Sequence, residues 1–177
     1  MEVVLSVSAS LLLARALHVL AGTIWAGGAV LISLYILPAA RAAGPAGSVV
    51  LRELTAVRRL PEVLLGLAVV TIISGIYLFG VASGGFQSVW LHSGPGVGYL
   101  LGGAAALVAF AIGSAINIPT ARRIGVLATR VQSSGAPPTP EQERLLRRLS
   151  QRLLQGTRAV ALLVAIAATL MALARYL

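Results

Sequence analysis

The sequence has no cysteine, no lysine and no aspartate. Without cysteine there are no disulfides, thiolate metal sites or iron–sulfur clusters. Without lysine a lysine Schiff base is impossible. Without aspartate, so is a Ser-His-Asp triad, and the nearest candidate for a glutamate version at the same membrane face is Glu2. An HExxH pattern is also missing, and three protein ligands plus a general base for zinc hydrolysis cannot be assembled. Charge is scarce as well: 11% of the 177 residues are charged and 58% are hydrophobic, whereas a soluble domain carries about 25% charged residues. With a mean hydropathy of +0.92, the chain cannot clothe a water-exposed surface and reads as an integral membrane protein.

All 14 basic residues are arginine, and the net charge is +9. These arginines flank apolar runs, which is the pattern of topology and anionic-lipid contact rather than of nucleic-acid binding. Met1-Glu2 lacks the basic start of a cleavable signal peptide.

Four runs are long enough to cross a bilayer, at about 20 residues per helix. They fall near 11–38, 61–82, 97–118 and 157–176. The expected fold is all-α, a single four-helix membrane bundle over 1–177. Ser8 or Ser10 suits the first N-cap, and Pro38 is expected to end the first span. Residues 48–60 read as an amphipathic piece at the interface, with Val49, Val50, Leu54 and Val57 roughly on one side. Asn117 and Pro119 are expected to mark the end of the third span. Thr139, Pro140 and Gln142 form a capping box with proline in the first turn. A helix from there to Tyr176 has about 37 residues and is about 55 Å long. Its first half is expected to leave the membrane and pair with an extension of span three, giving a cytoplasmic helical hairpin over about 119–156.

The loops after spans one and three hold most of the arginines, and the loop after span two holds none. The positive-inside rule then puts both termini and the 83–96 loop outside.

The stretch Ala14–Pro38 carries the chemistry. His18, Gly22 and Trp25 share one helical stripe, at i, i+4 and i+7. An imidazole at membrane depth is costly without a partner and marks a functional site. Gly22 is expected to leave room beside it, and Trp25 to wall a flat group. The topology carries the second histidine, His92, to the same outer face, together with Met171, Tyr99, Arg15 and Arg175. Two neutral imidazoles suit the axial positions of haem b. Imidazole with the Met171 thioether suits copper. The two guanidinium groups suit haem propionates or lipid phosphates. The expected function is membrane electron transfer by haem b, with a quinone or a membrane redox protein as partner. The alternatives are copper handling, or a cofactor-free subunit of a membrane complex.

The run LHVLAGTIWAGGAV, with His18, Trp25, Gly27 and Gly28, resembles the superfamily of small four-helix membrane proteins that holds the copper-resistance D (CopD) domains and the HemJ protoporphyrinogen oxidases. LYILP at Leu34 to Pro38 looks like the HemJ first helix. SGIYL at Ser74 to Leu78 and MALARYL at Met171 to Leu177 look like CopD proteins. The resemblance implies a haem- or copper-associated protein of a bacterial or archaeal plasma membrane, with the haem role of the HemJ first-helix histidine falling on His18. HemJ proteins also carry a functional lysine at the third helix. This chain has none, and Gly102 and Gly103 fall in that region. CopD proteins are linked to copper uptake, and this chain lacks a Met-rich or His-rich capture motif.

Overall fold

The computed structural model describes residues 8–177, so the reading of Met1-Glu2 lies outside the described residues. The described chain is all-α, and four of its helices are long and apolar enough to cross a membrane. Ser8 is the first N-cap, its Oγ accepting from the Leu11 amide at 3.4 Å.

The first helix does not end at Pro38. Helix α1 (Ala9–Leu31) passes through a π turn at Ile32–Ile36 into α2 (Leu37–Ala42). The third span behaves alike. Helix α6 (Gly94–Ile112) passes through a π turn at Gly113–Asn117 into α7 (Ile118–Ser133). In both places the proline is the second residue after the π turn. Proline has no N–H, and its ring collides with the carbonyl four residues earlier. A wider turn just ahead of the ring moves that carbonyl off the α ladder. The prolines therefore reshape these helices without terminating them.

Between the first two spans lie α3 (Pro45–Arg52) and a third π turn, Glu53–Val57. Gly44, at φ +58°, makes the reversal, and the missing side chain of Gly47 lets α3 close onto the Ala40 carbonyl. Val49, Val50 and Val57 are exposed, while Leu51 and Leu54 turn toward the bundle. Helix α4 (Leu60–Ala82) begins after Arg59, which is in the left-handed region at φ +52°. Pro61 and Glu62 sit in its first turn, where a missing N–H is harmless and a negative charge meets the positive helix end.

A short helix α5 (Ser88–Leu91) precedes α6, and α8 (Pro140–Leu173) continues as a 3₁₀ turn to Tyr176. The first half of α8 packs on α7. At the same end, the Arg41 guanidinium donates to the Ser150 carbonyl and ties the two arginine-rich connections together. The Thr139–Gln142 capping box is present. Thr139→Ala is expected to cost about 1 kcal/mol at this helix start, read as faster amide exchange over residues 140–146 with the spans unchanged.

The spans form a ring in the order α1, α4, α6, α8, in which α1 packs closely on α4 and α6 on α8. Leu13, Leu20, Ile73 and Leu162 are each more than 60% exposed, so the outer faces are apolar and their solvent is lipid. Inside, Trp25, Ala29, Ala68, Ala106, Ala109, Val160, Val164 and Ala167 make the core. Small residues predominate because helices in lipid gain by close packing, having no hydrophobic effect to draw them together. The Gly98/Gly102 pair shows this. A Cβ on Gly98 would lie 2.9 Å from the Ala174 Cβ, and one on Gly102 would lie 3.0 Å from Met171 Cγ.

Candidate functional site

His18 sits in the seam between α1 and α4. Along this seam small residues face larger ones in antiparallel register: Gly28 faces Leu64, Gly22 faces Thr71, and Gly75 faces His18. A Cβ on Gly75 would lie 2.8 Å from His18 Cε1, so the ring occupies the slot that this glycine leaves. The imidazole is half-buried, and its Nδ1 is 2.8 Å from the Thr71 carbonyl oxygen. Ser74 Oγ lies 3.5 Å from Nδ1, but its own short bond is to the Val70 carbonyl, at 2.6 Å.

A carbonyl oxygen only accepts, so Nδ1 carries the proton and donates. In the neutral ring, Nε2 is then the basic nitrogen. The same arrangement fixes the tautomer of metal-ligating histidines, in which one ring N–H is held by a carbonyl and the other nitrogen is free to ligate. His92 repeats it on the 83–96 loop. It is exposed at the end of α5, and its Nδ1 donates to the Ser88 carbonyl at 2.7 Å. Each histidine thus offers the donor that haem iron or copper takes.

The remaining site residues are more dispersed than their topology implies. The room expected at Gly22 is taken by Thr71, whose Cγ2 would be 3.3 Å from a Cβ there. Trp25 is buried in the alanine-rich core. Met171 lies across Gly102 between α6 and α8. Tyr99 stacks on Trp90, with centroids 6.3 Å apart and planes 8° from parallel. Trp90 in turn meets Phe79 edge-on at 5.4 Å. Arg175 lies over the neighbouring Tyr176 ring, at 4.6 Å from its centroid. Arg15 is exposed one turn before His18. Among the described residues no hydrogen bond joins the two histidines, and no three His or Glu side chains form a metal-holding group.

The sequence alone does not nominate Thr71, Ser74 and Gly75 as neighbours of His18. Their i, i+3, i+4 spacing is the available signal: it puts a hydroxyl-bearing, low-volume face on α4, and His18 is the residue of α1 that needs such a face. No family model, no curated protein and no solved structure matches this chain.

Proposed function

We propose that the protein binds haem b and passes electrons within the membrane, exchanging them with a lipid-soluble quinone or a membrane redox protein. One observation carries this reading: the His18 imidazole is held in a single tautomer inside the α1–α4 seam, with Nε2 left basic. His18 would be one ligand of the iron. His92, with its own Nδ1–H held by a carbonyl, would be the other, with the Met171 thioether on α8 as the alternative. Arg15 and Arg175 offer guanidinium groups to the propionates. When bound, the haem supplies a one-electron iron couple. The chain keeps the imidazole proton on Nδ1, and the missing side chain of Gly75 lets α4 close against the ring. On this reading the site belongs near the extracytoplasmic face of a bacterial or archaeal plasma membrane, the orientation that the positive-inside rule gives from the arginine distribution.

The test is an oxidised and dithionite-reduced visible spectrum of detergent-purified protein, with haem extraction on the same sample. A Soret band with sharp reduced α and β bands is expected, falling at least tenfold in His18→Ala. A protein without a Soret band, purified from haem-replete cells, defeats the proposal. Bound copper in that colourless sample would turn the reading to CopD-like copper handling. Neither cofactor, with a membrane protein co-purifying, would turn it to a structural subunit.

A further inference from the structure

The α7–α8 hairpin is the most highly charged part of the chain, with seven arginines and two glutamates between residues 118 and 156. Arg122 is paired with Glu62 at 3.6 Å and Arg147 with Glu143 at 3.1 Å. Arg123 and Arg130 are exposed and have no carboxylate partner among the described residues. Both lie on the face of α7 that carries Val126 and Leu127, at helical spacings of three and four. Leu145 and Leu149 of α8 stand alongside, and these side chains with Arg122 line one groove. Its floor is apolar and open: Val126 is 54% exposed and Leu145 47%.

Distance from the membrane decides what can reach this groove. Helix α8 is unbroken from Pro140 into its span, so the hairpin stands off the membrane along the bundle axis. Glu62 lies in the first turn of α4, just ahead of the apolar run, and its contact with Arg122 marks the membrane end of the groove. Arg130 is two helical turns further along α7, about 12 Å at 1.5 Å per residue. A polar headgroup layer is only about 5–8 Å deep. Asn117 meets Gly156 across the antiparallel pair, and the same register brings Arg130 near Leu145. Headgroups of the surrounding bilayer therefore reach Arg122 and fall short of Arg130 and Leu145. The far half of the groove faces water, where exposed apolar side chains beside unpaired arginines suit a protein partner.

Chemistry selects the occupant. Guanidinium groups pair best with carboxylates or phosphates, and an apolar groove between two helices suits the apolar stripe of a third. A nucleic acid would engage the arginines and leave Val126 and the leucines bare. A second copy of the chain brings little, since Glu53, Glu62 and Glu143 are already paired with its own arginines. We infer that the α7–α8 groove docks an acidic amphipathic helix of a partner protein, its apolar stripe on Val126 and Leu145 and its carboxylates on Arg123 and Arg130. The inference does not rest on the haem reading.

The experiment uses the full-length protein in phosphatidylcholine nanodiscs. The probe is a fluorescein-labelled synthetic helix with leucine along one stripe and glutamate elsewhere, followed by fluorescence anisotropy. Saturable binding is expected, weakened at least tenfold in the Arg123→Glu/Arg130→Glu double variant and at least fivefold in Leu145→Ser. The double variant should instead bind the same helix with lysine in place of glutamate, a gain that a misfolded protein could not show. Arg52→Glu, outside the groove, should leave the affinity within twofold. No saturable binding, equal affinity for a peptide of the same composition with its leucines scattered, or indifference to the groove variants would each overturn the inference. Displacement by duplex DNA or by phosphatidylglycerol vesicles, as effective as by the unlabelled helix, would overturn it in favour of nucleic acid or anionic lipid.

Discussion

Gly75→Leu is expected to force His18 out of the α1–α4 seam and to destabilise the bundle by about 1–3 kcal/mol, the usual cost of overpacking. The new Cβ would lie 2.8 Å from Cε1 and 3.1 Å from Nδ1 of the imidazole. The ring cannot step back without stretching its 2.8 Å bond to the Thr71 carbonyl. Losing that bond adds roughly 0.5–1.5 kcal/mol. Unfolding in mixed detergent micelles measures the effect. Gly66→Leu on the same helix is the control: its Cβ meets nothing within 4 Å, so the improved helix propensity should leave stability equal or slightly higher. Adding His18→Ala to Gly75→Leu should recover part of the loss, since the collision is with the ring itself. That recovery is a positive coupling energy in a double-mutant cycle. If Gly75→Leu is as stable as Gly66→Leu, the slot does not hold the imidazole. In haem-replete cells the same substitution should lower haem content, because Nε2 is aimed by the bond that it breaks.

What was legible in the sequence follows from the solvent. In lipid, a helix must satisfy its own backbone, so long apolar runs specify helices almost without help from tertiary structure. The four spans and the start of α8 at Thr139 could be read for that reason. The ends of spans one and three could not. Pro38 read as a terminator and Pro119 as the point where span three gives way to its extension, and nothing local distinguishes a proline that stops a helix from one preceded by a π turn. The site divides in the same way. His18 stood out because imidazole is rare at membrane depth. Its partner is a main-chain carbonyl on α4, and every residue has one, so side-chain identities could not nominate Thr71. Gly22 and Gly75 are both small residues in apolar runs. Only the seam's antiparallel register decides that Gly75 receives the imidazole while Gly22 receives Thr71.

Gly96→Ala is expected to move the loop that carries His92 while leaving His18 in place. Gly96 is buried in the first turn of α6, and a Cβ there would collide with the Trp90 carbonyl oxygen. That carbonyl already accepts from the Ser93 amide at 3.0 Å and the Ser93 hydroxyl at 2.6 Å. Both sides of the collision are main chain, so no rotamer change relieves it and residues 88–93 must shift. A cost of about 1–3 kcal/mol is expected, with Trp90 drawn off Tyr99 and Phe79. In a Trp25→Phe background Trp90 is the sole tryptophan, and its emission should move to the red. Gly103→Ala, whose Cβ meets nothing within 4 Å, should change neither quantity. Unaltered emission and stability in Gly96→Ala would show that the loop is not seated on α6 in this way. The variant also separates the two candidates for the second axial position. Displacing the loop moves His92, but Met171 stays on Gly102, two turns further along α6. If His92 ligates, the sharp reduced α and β bands should broaden while extractable haem, held by His18, is retained. If Trp90 moves and the bands stay sharp, the thioether of Met171 is the second ligand and His92 is a surface residue of the loop.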